Sequence, residues 1–372
     1  MESTLFDREP VLAVCGWSGS GKTTVLETVI PLLVERGLRV AVVKHDAHGI
    51  EVDREGKDSA RFFAAGADVH LHAPEEQMIR FRNRPEDSLE TTIFSLLSTH
   101  DLVLIEGHKE TPLPKIWCHG KGGNTVPDGI PGVTVTLPWN GNRTAMLVSI
   151  AKEQIRQASA DRPLFGGILI GGESRRMGSP KHILNIGGRS MLSTVAAVLR
   201  LRTERIVVLG RGDIPNDAGP LDQLRDAPGS GEGPLAGLLT AFRWAPRVCW
   251  VVGACDMPDI SVEALSWLVD QRRPGCWAVI PRDAKGRVQP TLALYEPQAC
   301  TLIDTLVSRG LRAPRALAQW PEVRTPTIPD ALSGAWINVN TPEELEVFRG
   351  GDGLPAHPEI RGAETRNSKL ET

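Results

Sequence analysis

The sequence predicts an α/β protein of two domains, and three observations support that fold class. The chain has 372 residues, more than one hydrophobic core usually organises. Short apolar runs of strand length alternate with stretches whose apolar residues recur at helical spacing, and this alternation begins again near residue 160. Each half also carries a glycine-rich loop just after an apolar run. We therefore expect domains at 1–160 and 161–350, followed by a flexible tail at 351–372.

The first domain is predicted to open with a strand, a glycine-rich loop and a helix. The loop is GWSGSGKTT at 16–24, and apolar residues then recur at helical spacing as far as Leu33. The predicted strands of this domain are residues 11–14, 40–43, 102–105 and 133–137. The third of them would deliver Glu106 to the carboxyl edge of a parallel sheet. The segment ASADRP at 158–163 is predicted to connect the two domains.

The second domain is predicted to repeat the alternation with different loops. Its predicted strands are residues 166–170, 205–210 and 249–256. A helix is expected after the first of these, because Met191, Leu192, Val195 and Leu199 have helical spacing. We therefore expect a second parallel α/β sheet.

Composition argues against nucleic acid and membranes as partners. The net charge is −3 with the two signs interspersed, and no apolar run approaches the ~20 residues of a membrane span. The amino-terminal sequence MESTLFDREP lacks a secretory pattern, so we expect a cytoplasmic protein. The six cysteines include no CxxC pair, and no carboxylate or cysteine cluster accompanies the nine histidines, so neither disulfides nor a histidine metal site is indicated.

The first loop satisfies the phosphate-binding pattern G-x-x-x-x-G-K-[ST] between a predicted strand and a predicted helix. Lys22 would lie along the β- and γ-phosphates of a nucleotide, and Thr23 would offer its hydroxyl to Mg²⁺. Glu106 is expected to bind Mg²⁺ or position water. The predicted nucleotide-binding residues of this domain are Gly19, Ser20, Gly21, Lys22, Thr23, Thr24 and Glu106.

The second loop, LIGGESRRMGSPK at 169–181, lacks the phosphate-binding pattern of the first but still suits phosphates. Gly171 and Gly172 would let the backbone approach a ligand. The loop also has three cationic residues that would match several phosphate charges: Arg175, Arg176 and Lys181.

Two carboxylates are expected to act together with the second loop. Asp226 lies in RDAPGSGEGPLAG, and Asp256 follows an apolar strand at a position suited to a hard cation. The order of these elements fits a nucleotidyltransferase that needs no protein nucleophile, because positioning and electrostatics suffice for phosphoryl transfer.

Residues 10–119 resemble the GTP-binding adaptor proteins of molybdopterin-guanine dinucleotide biosynthesis. The resemblance rests on the first loop, on KHDAHGIEVDREGKDSARFFAAGAD and on DLVLIEGHK. It implies a P-loop NTPase-like α/β domain whose nucleotide is surrounded by Lys44, His45, Asp53, Lys57, Asp58, Ser59, Glu106 and Lys109. For the charged residues at 53–58, a solvated loop without a ligand is the alternative.

From residue 166 to about 348 the sequence resembles the molybdenum cofactor guanylyltransferases, through the second loop, GPLAG, GACDMP, QPTLALY and NVNTPEEL. The resemblance implies a Rossmann-like nucleotidyltransferase domain. It also implies nucleotide contacts at Leu169, Gly171, Gly172, Lys181, Asp226 and Asp256, with Mg²⁺ on Asp256. Catalysis would fall to Lys181, Arg176 and Asp256. The pterin would be held by Gln289, Thr291, Asn338 and Asn340.

The sequence departs from this second family at two positions. Leu209 stands where an asparagine commonly approaches the nucleotide, and Gln289 stands where a histidine often precedes Pro-Thr. The Leu209 backbone could still serve the nucleotide, and Gln289 could act as an amide donor and acceptor near the pterin. The paired glycines at 171–172 and GPLAG resemble the guanylyl rather than the cytidylyl branch, which favours guanine.

Together the two resemblances imply a fused protein that transfers GMP from GTP to molybdopterin and releases pyrophosphate. Mg²⁺, GTP and molybdopterin are the expected ligands, and the first domain could hydrolyse GTP weakly. Three alternatives stay open: a cytidylyltransferase, a sugar-phosphate nucleotidylyltransferase and a GTP-regulated cofactor carrier. Expected protein partners are a molybdenum insertion protein, apo-molybdoenzymes or their chaperones, and a second copy bound through the first domain.

Overall fold

The structure, a computed structural model, describes residues 6, 8–46, 56–123, 125–171, 177, 179–226 and 233–350. They form two compact units. The first contains the residues up to 162 together with 272–277 and 296–302, and the second contains 163–271, 278–295 and the residues from 303 onward. Both units are α/β, as predicted. No helix in the described part of the chain is long and apolar enough to cross a membrane.

The first unit is built on a five-stranded sheet in which every neighbouring pair of strands is parallel. Its elements are β1 Val11–Cys15, α1 Lys22–Val34, β2 Val40–Lys44, α2 Asp58–Ala64, β3 Val69–His72, β4 Gln77–Arg80, α3 Leu89–Leu97, β5 Leu102–Glu106, β6 Lys115–Cys118, β7 Val133–Leu137 and α4 Arg143–Ala160. The strand order is β2-β5-β1-β6-β7, and β3 and β4 form a separate antiparallel hairpin. The central strand β1 is therefore flanked by β5 and β6.

The four strands predicted for this unit are all present. The runs of β1 and β5 are buried inside the sheet, whereas β2 and β7 form its two edges and are buried only in part. The first half of the predicted connector is helical, since α4 continues to Ala160. The reason is packing: Leu147, Ala151, Ile155 and Ala158 recur on one face of α4 and are buried. This apolar stripe keeps the segment helical beyond the point at which its polar composition suggests a turn.

The rest of the chain forms a seven-stranded mixed sheet with its helices. Its elements are β8 Leu164–Leu169, β9 Asn185–Ile186, β10 Arg189–Ser190, α5 Met191–Leu199, β11 Arg205–Leu209, β12 Asp222–Leu224, α6 Pro234–Trp244, β13 Cys249–Ala254, α7 Val262–Val269, β14 Ala278–Val279, β15 Leu292–Tyr295, α8 Ala299–Ser308, β16 Val323–Arg324 and α9 Pro342–Gly350. The strand order is β12-β11-β8-β13-β15-β14-β16, and β9 and β10 form a separate antiparallel hairpin. The strands predicted from the apolar runs correspond to β8, β11 and β13.

Strand direction changes within this sheet, and the change brings the segment before β15 close to the segment that contains Asp256. The strands β12, β11, β8 and β13 are mutually parallel, whereas β15 runs antiparallel to β13. The residues that precede β15 therefore reach the same edge as the residues that follow β13. The Ala254 amide donates to the Thr291 carbonyl at 2.7 Å and fixes this approach.

Candidate functional sites

The loop after β1 is tightly closed, and its backbone is shaped by glycine. A Cβ at position 16 would lie 2.5 Å from Ser20 Oγ and 2.6 Å from the Cys118 carbonyl oxygen, so only glycine fits there. Gly19 and Gly21 have φ angles of 74° and 77°, in the left-handed region. The Ser20 side chain is buried. The loop therefore presents backbone groups to a ligand, as a phosphate-binding nest requires.

The first residues of α1 lie across this loop and beside β5. Lys22 Nζ donates to the carbonyl oxygens of Gly16 at 3.2 Å and Trp17 at 3.0 Å. Thr23 Oγ1 donates to Glu106 Oε1 at 2.9 Å, because β1 and β5 are neighbours and their carboxyl ends meet. Hydroxyl and carboxylate oxygens are ligands that Mg²⁺ prefers, so the two side chains fit such an ion.

Three more predicted residues lie around the same edge of the sheet. Lys44 pairs with Glu106 in the register between β2 and β5, and the His45 amide donates to the Glu106 carbonyl at 3.2 Å. Lys109 Nζ lies 4.4 Å from the centroid of the Trp17 ring. A lysine therefore lies over an aromatic residue of the loop, and a second lysine is paired in the sheet with Glu106.

Thr24 adjoins Thr23, whereas other predicted residues lie at the start of α2 or cannot be described. Thr24 is exposed on the first turn of α1. Lys57 occupies the N-cap position of α2 without a side-chain capping hydrogen bond, Asp58 and Ser59 are the first helical residues, and the Asp58 carboxylate is 3.6 Å from Arg61 Nη1. Four predicted residues lie outside the described residues, and they are Asp53, Gly172, Arg175 and Arg176.

Arg143, the first residue of α4, packs behind the loop although the sequence did not single it out. Its Nη1 donates to the Ser20 carbonyl at 2.7 Å, and its Nε donates to the Pro138 carbonyl at 2.8 Å. Its Nη2 donates to the carbonyls of Leu137 and His119. Arginine is ordinarily exposed, so a single arginine at a helix start carries no sequence signal for this burial.

In the second unit, four predicted residues form one hydrogen-bonded network. Lys181 Nζ donates to Asp256 Oδ2 at 2.7 Å and to Asn340 Oδ1 at 2.8 Å. Asn338 Nδ2 donates to Asp256 Oδ1 at 2.8 Å. Asp256 is only 8% exposed. The network holds the carboxylate in one orientation at the carboxyl end of β13, with the Lys181 cation beside it.

A cleft of about 1030 Å³ opens beside this network and is lined by all four residues predicted to contact the pterin, Gln289, Thr291, Asn338 and Asn340. Gln289 Nε2 donates to Asp283 Oδ2 at 3.1 Å. Thr291 Oγ1 is buried and has no hydrogen-bond partner among the described residues. The cleft is large enough for a small organic ligand and offers polar groups to orient it.

The predicted nucleotide contacts Leu169 and Asp226 converge on α6. A Cβ at Gly237, the last residue of GPLAG, would lie 2.9 Å from Leu169 Cδ2 and 3.9 Å from Asp226 Oδ1. Gly171 has a φ of 102°, which favours glycine. Burial raises the pKa of the Asp226 carboxyl above its ordinary value, and Arg211 partly offsets that effect. GPLAG therefore lies next to Leu169 and Asp226, two of the residues predicted to contact the nucleotide.

Leu209 belongs to the core. It is 1% exposed, and its carbonyl accepts a hydrogen bond from the Ile170 amide at 2.9 Å. Neither its side chain nor that oxygen is open to a nucleotide.

The cysteine next to Asp256 is unsuited to nucleophilic chemistry. Burial and the neighbouring Asp256 raise the pKa of the Cys255 thiol to about 12. Because the thiolate is the reactive form, this cysteine is inert near neutral pH.

Within the described ranges, no three His, Cys, Asp or Glu side chains are grouped so that they could hold a metal ion by themselves. Mg²⁺ commonly binds proteins through one or two carboxylates and takes its remaining ligands from phosphates and water. Asp256, with the amide oxygen of Asn340 in the same network, fits that mode of binding.

Comparison with known proteins also divides the chain into an amino-terminal and a carboxyl-terminal part. Residues 11–128 match the family Molybdopterin guanine dinucleotide synthesis protein B (MobB), and residues 166–323 match the MobA-like NTP transferase domain. A "Molybdopterin-guanine dinucleotide biosynthesis adapter protein" of Escherichia coli is 36% identical over 123 residues, covering 32% of this chain and 70% of that protein. A "Probable molybdenum cofactor guanylyltransferase" of Bacillus anthracis is 30% identical over 185 residues, covering 48% of this chain and 92% of that protein. The chain belongs to both families.

The MobB match extends to an adapter protein of Haemophilus influenzae with the same description. The two are 44% identical over 114 residues, which is 30% of this chain, and the chain spans 63% of that relative's length. The predicted family membership and the predicted nucleotidyltransferase class are thereby confirmed. Below, the first unit is called the MobB unit and the second the MobA-like unit.

Proposed function

We propose that the chain is a molybdenum cofactor guanylyltransferase with a fused GTP-binding adaptor, the two occupying residues 161–350 and 1–160. The observation that carries the proposal is the network of Lys181, Asp256, Asn338 and Asn340. It lies at the carboxyl end of β13, and its Asn338 and Asn340 line the cleft, so a phosphate-bearing molecule in the cleft would meet a cation and a carboxylate. The tail expected at 351–372 lies outside the described residues.

In the proposed reaction, a phosphate oxygen of molybdopterin attacks the α-phosphorus of GTP. The bond from that phosphorus to the β-phosphate oxygen breaks, and pyrophosphate leaves. Lys181 stabilises negative charge on the phosphates, and Arg176 is assigned the same task. Asp256 would hold Mg²⁺, which supplies further charge stabilisation when bound. Because the ion pair with Lys181 already orients Asp256, little reorganisation is needed as charge develops.

The acceptor is proposed to occupy the cleft. Asn338 and Asn340 line it at the end that carries Asp256, and Gln289 and Thr291 line it near the start of β15. The buried, unpartnered hydroxyl of Thr291 offers a hydrogen bond to a ligand. Ile337, which is 48% exposed, adds an apolar surface that suits a flat heterocycle.

At the other end of the site, the nucleotide is proposed to lie over Leu169 and Gly171, with Gly172, Lys181 and Asp226 as further contacts. The approach of Gly237 to Leu169 and Asp226 supports this placement, because a larger side chain would fill the space between them. The guanine preference is inferred from GPLAG and the paired glycines of the second loop.

The MobB unit is proposed to bind GTP and Mg²⁺ on its own loop. Gly19, Ser20 and Gly21 would contact the phosphates through the backbone, and Lys22 through its ammonium group. Thr23 and Glu106 would hold the ion, which their 2.9 Å contact supports. Weak GTP hydrolysis and contacts with a molybdenum insertion protein or apo-molybdoenzymes would follow from the adaptor role. We place the protein in the cytoplasm.

A second copy of the chain is proposed to bind the MobB unit. The supporting observation is a group of apolar side chains on α2 and around β4 that are exposed in the single chain: Phe62, Ile79 and Phe81 are 60%, 61% and 55% exposed. Sedimentation of the full chain and of a Phe62→Ser/Ile79→Ser/Phe81→Ser variant would test this. A monomeric wild type would contradict it.

The decisive experiment is to incubate the protein with molybdopterin and each of the four nucleoside triphosphates and to identify the dinucleotide formed. We expect molybdopterin guanine dinucleotide and pyrophosphate, with GTP preferred over CTP at least tenfold, a difference of about 1.4 kcal/mol. Equal or better use of CTP would favour a cytidylyltransferase. Activity only on a sugar phosphate, or no transfer at all, would favour a sugar-phosphate nucleotidylyltransferase or a carrier.

A further inference from the structure

A buried arginine lies directly behind the phosphate loop of the MobB unit, and every one of its described hydrogen-bond acceptors is a backbone carbonyl. Arg143 is 8% exposed and donates to the carbonyls of Ser20, His119, Leu137 and Pro138. Within the described residues, no carboxylate forms an ion pair with its guanidinium group. A buried charge without a counterion is costly, so its position needs an explanation beyond packing.

The explanation begins with the peptide between Ser20 and Gly21. The described residues contain no cis peptide bond, so the Ser20 carbonyl and the Gly21 amide point in opposite directions. The carbonyl accepts from Arg143 Nη1 at 2.7 Å. The Gly21 amide must therefore point away from Arg143, toward the side of the loop on which Lys22 and the other backbone amides would meet a nucleotide.

Glycine at position 21 is part of the same arrangement. A Cβ there would lie 3.3 Å from Arg143 Nη1 and 3.7 Å from the ring of Trp139, and the φ of 77° would be strained for a larger residue. The Trp139 ring in turn lies under the guanidinium, 5.0 Å from its centre. The loop is thus held at two places, since Lys22 bonds to the carbonyls of its first two residues and Arg143 to that of Ser20.

We propose that Arg143 is the positioning residue of the phosphate loop, aiming the Gly21 amide at the nucleotide phosphates and placing a positive charge behind them. Its hydrogen bond also polarises the peptide, which makes the amide a stronger donor. The inference rests on the proposed GTP binding by the MobB unit. Arg143 lies beyond the matched residues 11–128, so the nucleotide site would be incomplete without α4.

The test compares Arg143→Met and Arg143→Lys in the full chain by calorimetric titration with GTP, GDP and GMP. Binding to the MobB unit is the component of the titration that Lys22→Ala removes. We expect Arg143→Met to weaken GTP and GDP binding at least tenfold and GMP binding less than threefold. We expect Arg143→Lys, which keeps the charge with fewer hydrogen bonds, to give an intermediate loss. Arg156→Met is the matched control, because Arg156 lies on the same helix, 63% exposed and paired with Glu153, and it should leave all three affinities unchanged.

The comparison of nucleotides separates positioning from a merely structural role. General loosening of the unit would weaken GTP, GDP and GMP by the same factor, and that result would overturn the inference. So would a folded Arg143→Met variant whose GTP affinity stays within twofold of wild type. If circular dichroism shows that neither variant folds, Arg143 is a folding residue and the inference is wrong. If the wild type has no GTP-binding component sensitive to Lys22→Ala, the proposed GTP binding itself fails.

Discussion

Replacing Asp256 by asparagine should nearly abolish dinucleotide synthesis while preserving the fold. The substitution keeps the size of the side chain but removes the single negative charge on which the proposed Mg²⁺ site and the Lys181 ion pair depend. Loss of metal charge stabilisation costs several kcal/mol in the transition state. A loss of about 4 kcal/mol corresponds to a decrease in kcat of roughly 1000-fold.

The effect of Asp256→Asn on stability should be much smaller. The Lys181 and Asp256 side chains are 20% and 11% exposed, which places the pair between a surface ion pair and a fully buried one. We expect the free energy of unfolding to fall by about 1–2 kcal/mol, because the Lys181 ammonium keeps its hydrogen bond to Asn340. Chemical denaturation followed by tryptophan fluorescence would measure this change.

The assay for Asp256→Asn is pyrophosphate release with GTP, Mg²⁺ and molybdopterin, under conditions in which circular dichroism shows a folded protein. Asp222→Asn is the matched control. It removes an ion pair of the same 2.7 Å length, to Arg205, from a half-exposed surface, and we expect wild-type kcat. A folded Asp256→Asn variant with kcat within tenfold of wild type would refute the assignment of Asp256 as the metal ligand.

Three further predictions address the other residues of the two sites. Lys22→Ala should abolish GTP binding by the MobB unit, yet GMP transfer at saturating GTP should persist. If Lys22→Ala reduced transfer as much as Asp256→Asn, the phosphate loop of the MobB unit would be part of the catalytic machinery. Gly237→Ala should raise the KM for GTP severalfold, because its Cβ would lie 2.9 Å from Leu169 Cδ2, and an unchanged KM would contradict the nucleotide placement. The raised pKa of Asp226 means that the folded protein binds this proton more tightly than the unfolded chain, so stability falls as pH rises above the ordinary carboxyl range. Asp226→Asn should therefore raise the Tm at pH 7 but not at pH 3, while raising the KM for GTP; a lower Tm at pH 7 would count against a destabilising buried carboxylate.

The local parts of both sites could be predicted from the sequence, and the contacts across the chain could not. The phosphate loop is predictable because its conformation depends on glycines and a lysine within a few residues. Lys181 and Asp256 were each singled out, but they are 75 residues apart, and only the sheet order shows that they form an ion pair. Asn340, 159 residues from Lys181, was assigned to the pterin alone, although it also holds that lysine.

Helix α2 and the role of Arg143 were missed for two different physical reasons. Helix α2 has no buried residue, so it leaves no apolar periodicity to detect. Arg143 was missed because the carbonyls that it bonds come from three separate segments, which folding alone brings together. By contrast, α4 was not predicted although its apolar residues, Ile155 and Ala158 among them, recur at helical spacing and indicate a helix as far as Ala160.

The reversal of strand direction at β13 has a consequence for how such an enzyme can diverge. The residues proposed to bind the nucleotide come from the parallel half of the sheet and from α6, whereas those proposed to bind the acceptor precede β15 or follow residue 336. Asp256 follows β13, the last strand of the parallel half, where the two halves adjoin. Substitutions at Gln289 and Thr291 could therefore adapt the cleft to a different phosphate-bearing acceptor, whereas Asn338 and Asn340 are hydrogen-bonded to Asp256 and Lys181 and could not change without disturbing them.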